Sequence, residues 1–215
     1  MRAMRWLLPL AAIAAIAIGL LLIPPRARAE DKDALAAAAA FPDGGGYDST
    51  WKGTGSPEDV VFQGTTILAK GKNGTYCSGF TFAVAMRVAE RRKLLAKCTV
   101  AQIRQFQREW FGATKSSKEK QCVVAAESLG IGAERPLKDA QPGDFVQLWR
   151  ANGTGHSVVG LRWISKDGRL IALEYRSSQG STGGGGDRIE YFTDVPGMNG
   201  TIRRDRTYVC RLHPK

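Results

Sequence analysis

Apolar and polar positions change their period along the chain. Residues 7–23, "LLPLAAIAAIAIGLLLI", are apolar and carry no charge. From Ser78 onward, Phe82, Ala85, Met86, Ala89 and Leu94 recur at helical intervals and predict a helix running to about Lys97. Thr99 with Gln102 three residues on is a capping-box pair, and Ile103, Phe106 and Trp110 continue one face of the helix it opens. A third helix is expected over roughly 118–129, stopped by Gly130. Beyond Pro136 the segments "GDFVQLW", "GHSVVGLRWI", "GRLIALEYR", "DRIEYFT" and "RTYVCRL" are short, rich in β-branched and aromatic residues, and divided by glycine-rich turns. Helices first and antiparallel strands second is the α+β arrangement.

The opening run sets the chain's organisation. Arg2 and Arg5 precede it, and an Ala-x-Ala ending at Ala29 follows it. That is the layout of a secretory signal over residues 1–29, with an uncleaved N-terminal anchor as the alternative, because the run approaches the ~18–20 residues that span a bilayer. Either reading places the rest outside the cytoplasm, secreted or periplasmic. Residues 30–50, an alanine run followed by Pro-Asp-Gly-Gly-Gly, read as a flexible tether. Residues 51–215 are then one domain, with a short strand expected in "VVFQGTTILAK".

Charge and cysteines narrow the chemistry. Removing residues 1–29 takes away Arg2, Arg5, Arg26 and Arg28 and no acid, so the net charge falls from +11 to +7. Such a surface attracts anionic partners, with nucleic acid, anionic lipid heads and anionic cell-wall polymers as candidates and ordinary solubility as the alternative. The cations are scattered among acids without a basic helix, which argues against nucleic acid. Membrane contact is expected only through an uncleaved N-terminus, and the oligomeric state is left open. Cys77, Cys98, Cys122 and Cys210 include no CxxC pair, and His156 and His213 are the only histidines, so neither a metal site nor a cofactor is expected. Cys98 and Cys122 flank the second helix and are candidates for a bridge that leaves Cys77 free and Cys210 buried. Asn-Gly-Thr sequons stand at Asn73, Asn152 and Asn199, and two of them border Cys77 and His156, the candidate site residues, which fits a bacterial source better than a glycosylating one.

Cys77 sits where the turn "KNGT" gives way to a helix. Unpaired amides and the helix dipole favour a thiolate there. A nucleophile also needs a base steadied by a third polar group. His213 lies among the last three residues, where fraying is expected. His156 follows "NGTG" and opens an apolar strand, which makes it the better base. Taken separately, a cysteine at a helix start and a histidine at a strand start are common packing residues.

Together, "YCSGF" before an apolar helix and "QPGDFVQLWRANGTGHSVVG" downstream resemble the two motifs of the NlpC-type cell-wall peptidases. "SKDGRLIALEY" resembles the following hairpin of the CHAP amidases, with its Glu-Tyr. The resemblance covers Cys77 to about Ser178. It implies a papain-like fold with helices packed on a small antiparallel sheet, and hydrolysis of amide bonds in peptidoglycan peptides, with an anionic cell-wall peptide as the substrate. By position Cys77 is the nucleophile and His156 the base. Tyr76 stands where these families carry Asp, and Gly71 where a papain-like oxyanion donor would be Gln. The other reading is a non-catalytic envelope-binding module of the same fold.

Hairpin register bears on the third residue. A three-residue loop at 166–168 pairs Ser165 with Arg169 and sets Leu161 against Leu173 on one apolar face. Glu174 then shares the histidine's side and is the preferred orienting residue, in agreement with the CHAP-like Glu. Ser178 is a weaker candidate, and Gln179 becomes the choice if the register slips by one. A surface ion pair with Arg162 or Arg176 is the alternative role for Glu174.

Overall fold

Seven strands pair antiparallel into one sheet in a computed structural model that describes residues 29–213. The apolar run read as a signal or anchor lies outside the described residues. In chain order the elements are α1 (Ala29–Ala39), β1 (Gly44–Gly45), β2 (Val60–Phe62), β3 (Thr65–Leu68), α2 (Cys77–Arg91), α3 (Val100–Trp110), α4 (Cys122–Leu129), β4 (Gly132–Arg135), β5 (Phe145–Arg150), β6 (Gly155–Lys166), β7 (Arg169–Gln179), β8 (Gly184–Tyr191) and β9 (Ile202–Leu212). The sheet order is β1-β8-β7-β6-β5-β9-β4, and β2 with β3 forms a separate hairpin. The α+β class is as expected. The sheet is larger than expected, because the edge strands β1 and β4 carry no recognisable strand pattern.

The helices follow their local signals. The Thr99 side chain accepts from the Gln102 amide while Gln102 Oε1 accepts from the Thr99 amide, so both halves of the capping box form at the start of α3. α4 ends at Gly130 in the left-handed conformation, as expected, but begins only at Cys122. α2 stops at Arg91, earlier than the apolar spacing suggests, and Leu95 reaches the core from the turns that follow.

Two apolar clusters lie against the sheet. The larger joins Phe80, Phe82 and Met86 of α2 and Ile103, Phe106 and Trp110 of α3 to Phe145, Val159 and Cys210 of the sheet. The smaller gathers Val146, Leu148, Val158, Leu173 and Tyr175 with Phe192 and Ile202. Neighbours along each strand, such as Phe145 and Val146 or Val158 and Val159, go to different clusters, as the two-residue side-chain period requires.

The tether reading of 30–50 is corrected. Ala34, Ala37 and Ala38 of α1 are buried and belong to the larger cluster, because methyl-sized side chains let this helix lie close against its neighbours. Gly44 and Gly45 then pair with Gly185 and Gly184 of β8. That pairing needs glycine: Gly184 has φ +124, and a Cβ there would stand 2.0 Å from the Gly44 carbonyl oxygen. Asp48 is buried as well. No helix among the described residues is long and apolar enough to cross a membrane.

The cysteine pairing is corrected too. Cys98 and Cys122 are not bridged, and all four thiols are free. Cys122 instead neighbours Cys210, whose Sγ donates to the Cys122 carbonyl at 3.4 Å. Contact with the Cys122 thiol and full burial push the Cys210 thiol well upward.

Candidate active site

Cys77 is the first residue of α2, and Tyr76 is its N-cap in an extended conformation without a side-chain cap. The first-turn amides of α2 are thus not capped by a side chain. Tyr76 has another task. Its backbone N–H donates to the Gly55 carbonyl at 3.1 Å, and its hydroxyl donates to the Gly53 carbonyl at 2.8 Å. Its ring covers Gly55 so closely that a Cβ there would lie 2.4 Å from Cδ1. Burial first, then the neighbouring Cys77 and Asp48, pushes its phenol up to about 12, so it stays a protonated donor. The ring that replaces the expected acid thus clamps loop 53–55 onto the helix start.

A second loop is drawn in by Asp48. Its carboxylate accepts from the Thr50 amide at 3.0 Å, the Thr50 hydroxyl at 2.6 Å and the Gly53 amide at 3.3 Å. Its own N–H donates to the Thr75 carbonyl at 3.0 Å. This Asx-type turn presents Trp51, 66% exposed and at φ +53, with its indole N–H on the Tyr47 hydroxyl at 3.1 Å.

His156 stands near the start of β6, opposite Leu148 of β5, and is 5% exposed. Its Nε2 lies 3.2 Å from Gln179 Oε1. The Gln179 amide is oriented by its other end, where Nε2 donates to the Gly186 carbonyl at 3.2 Å. Because that end donates, Oε1 is the acceptor facing the ring, and the proton is assigned to His156 Nε2. Nδ1 keeps the lone pair. The ring packs edge-on against Tyr175, with centroids 5.5 Å apart. Desolvation, followed by the positive field of Arg150, holds the imidazole down at about 3, although Glu190 and the Gln179 bond oppose that shift. The histidine is therefore neutral around pH 7.

Beneath it lies a buried ionic network. Arg150 makes two hydrogen bonds to Glu190, Nε to Oε2 at 2.9 Å and Nη2 to Oε1 at 2.7 Å. Tyr175 donates to the same carboxylate at 2.6 Å and Thr201 at 2.7 Å. Burial alone would raise the Glu190 carboxyl, but these donors outweigh it and hold it at about 2.

Cys77, His156 and Gln179 all line one cleft of about 770 Å³, together with Tyr76, Trp51 and Trp149. Among the described residues no group of three or more His, Cys, Asp or Glu side chains gathers as a metal site would need. Ser157, Gln147 and Gln121 also line the cleft, with the Ser157 hydroxyl 2.7 Å from Gln147 Oε1 and 3.1 Å from Gln121 Oε1.

Glu174 does not join this cleft. The β6–β7 turn has two residues, Asp167 at φ +51 and Gly168 at φ +75, and it pairs Lys166 with Arg169 instead of Ser165 with Arg169. This is the register slipped by one. The slip does not drive charge into the core, because the ladder shifts again between Ile164 and Ser165 and between Gly160 and Arg162. The second shift passes over Leu161 and sets Arg162 opposite Glu174, where the two form a 2.7 Å ion pair. The polar partner of His156 is Gln179, the residue that the slipped register selects. Ser178 is fully buried and bonds Thr75 at 2.7 Å. The sequence reading missed Arg150 and Arg188, which also line the cleft, since an arginine within a strand pattern carries no signal of its own.

Searches with family models, through curated proteins and through solved structures find no match to this chain.

Proposed function

We propose that the protein is an exported cysteine hydrolase of amide bonds, with peptidoglycan peptides as its substrates and a papain-like arrangement of its domain. The observation that carries this reading is that Cys77 at a helix start and His156 line one cleft, with the His156 Nε2 proton held by Gln179. That bond leaves Nδ1 as the ring's proton acceptor. Cys77 is the nucleophile, His156 the base and Gln179 the residue that positions it.

In the first half-reaction the thiol proton passes to Nδ1 of His156 as sulfur bonds to the amide carbonyl carbon. The tetrahedral oxyanion is met by amides of the first turn of α2, aided by the helix dipole. The imidazolium then protonates the leaving amine, the C–N bond breaks and a thioester remains. Water attacks the thioester while His156 accepts its proton, the C–S bond breaks, and the departing thiolate takes that proton back to restore the thiol and the neutral imidazole. A neutral imidazole is the form this sequence requires at the outset, and desolvation keeps it so.

The test is release of new amino groups from purified sacculi. Wild-type protein is expected to release them, and Cys77→Ala and His156→Ala to release none. Unchanged release by either variant overturns the reading in favour of a binding module.

A further inference from the structure

The walls of the cleft carry one sign of charge. Arg150 and Arg188 are its charged side chains, and no Asp, Glu or Lys is among the residues that line it. Behind the wall, the single carboxylate of Glu190 serves both arginines, bidentate to Arg150 and at 3.3 Å from Arg188 Nε. Two guanidinium charges against one carboxylate leave one positive charge uncompensated.

The two arginines differ in what remains to them. Arg150 is mostly buried, and its Nε and Nη2 are both committed to Glu190. Arg188, on β8 opposite Tyr175, keeps 40% of its side chain exposed. Its Nη1 makes a long 3.4 Å bond to the Ser181 hydroxyl, and its Nη2 has no partner among the described residues. The face of a guanidinium fork that is not committed is the one that binds a carboxylate. Trp51 at the rim and Trp149 inside supply apolar walls, and less water at this charge strengthens its pull on an anion.

We propose that Arg188 is the carboxylate-recognising residue of the cleft, and that the ligand of this site is an amide bearing a free carboxylate close to the bond presented to Cys77. The part that concerns bond cleavage rests on the hydrolase reading above. Binding of the carboxylate does not.

Two alkylating agents of nearly equal size, one anionic and one neutral, test it. Iodoacetate and iodoacetamide both form a C–S bond with a thiolate and expel iodide, but only the first is an anion. The rate ratio of iodoacetate to iodoacetamide at Cys77 is expected to exceed that of free cysteine by about tenfold, the size of one partly screened charge contact. Arg188→Gln is expected to return the ratio to within roughly threefold of free cysteine, Arg188→Lys to keep part of it, and 0.5 M salt to weaken it. A wild-type ratio equal to that of free cysteine, or one that Arg188→Gln leaves intact, overturns the proposal. If Cys77 reacts no faster than Cys98 with either reagent, the hydrolase reading falls instead. The second arm then decides without the thiol. Acetyl-dialanine with a free carboxylate is titrated into the Cys77→Ala protein beside its carboxamide. At least fivefold tighter binding of the carboxylate, lost in Cys77→Ala/Arg188→Gln, supports the proposal. Equal binding, or no binding of either at millimolar concentration, overturns it.

Discussion

The Thr75 hydroxyl lies 2.7 Å from the Ser178 hydroxyl, joining the residue two before Cys77 to the residue one before Gln179. The Thr75 oxygen is also 3.3 Å from the Gly46 carbonyl, which takes its proton and leaves Ser178 as donor to Thr75. The segment that leads into Cys77 and the strand that carries Gln179, the partner of His156, are thereby tied together. Since both hydroxyls are buried, neither finds a replacement in water.

A double-mutant cycle measures that tie. Thr75→Val and Ser178→Ala are each expected to destabilise the fold by about 1 kcal/mol, and the pair by about 1 kcal/mol less than the sum. Urea unfolding of the four proteins gives the coupling. Additive costs mean that the contact contributes nothing to the fold.

Gln179 and Glu174 separate by their kinetics. Gln179→Ala removes the acceptor that fixes the ring's tautomer. On the proposed mechanism it is expected to lower kcat roughly 10–100-fold while KM moves less than about threefold, since a misdirected base is slower without binding substrate less well. Glu174→Gln removes an ion pair to Arg162, whose side chain is 64% exposed, and is expected to change activity less than about twofold and stability by less than ~0.5 kcal/mol. The opposite ranking in steady-state kinetics would restore Glu174 as the orienting residue.

These two residues also mark how far the sequence could be read. Helix caps and strand cores are local: Thr99 and Gln102 find each other within one turn, and "FVQLW" is apolar enough to be a strand wherever it pairs. Cys77 and His156 each stand at an element's start with a turn before it, which alone fits packing residues; the ordered pair of motifs around them is what singles them out. Register is not local. It depends on a turn of two residues instead of three, which brings Gln179 to His156, and on two ladder shifts, at Gly160/Arg162 and Ile164/Ser165, that cancel each other and set Glu174 against Arg162. No alternation pattern announces either. The alanines of α1 misled for a different reason: a run of small residues fits a flexible leader and a tightly packed helix equally well, and only the surface they lie against decides.

Gly79 tests how the start of α2, where Cys77 stands, is seated. In a solvent-facing helix Gly→Ala stabilises by up to about 1 kcal/mol. Here a Cβ would stand 2.3 Å from the Gly55 carbonyl carbon and 2.4 Å from its oxygen, in the loop that Tyr76 clamps. Backbone on both sides leaves no side chain to yield, so Gly79→Ala is expected to destabilise by roughly 1–3 kcal/mol and to displace loop 53–55 from the helix start. Thermal unfolding gives the sign at once. A higher melting temperature would show that the loop does not sit there.

The depressed imidazole makes stability depend on pH in a definite direction. His156 titrates near 3 in the fold, and near 6.5 in the unfolded chain. Between those values the unfolded state binds a proton that the folded state refuses. Folding is thus unaffected by this group above pH 6.5 and loses stability as pH falls from 6.5 toward 3. Arg150 and Arg188 reinforce the refusal and Glu190 opposes it; Glu190, held at about 2 in the fold against 4.5 in the unfolded chain, adds its own loss of stability only as pH falls through 4.5 and below, in wild type and variant alike. At about 1.4 kcal/mol per pH unit, acidification from pH 7 to 4.5 is expected to cost about 3 kcal/mol through His156. His156→Gln, neutral at every pH, lacks that loss while retaining whatever the carboxylates impose. Urea unfolding at pH 7 and 4.5 therefore gives a steeper decline for the wild-type protein than for the variant. Equal declines would mean that His156 ionises freely in the fold, and that the neutral ring the proposed mechanism starts from is not enforced by burial.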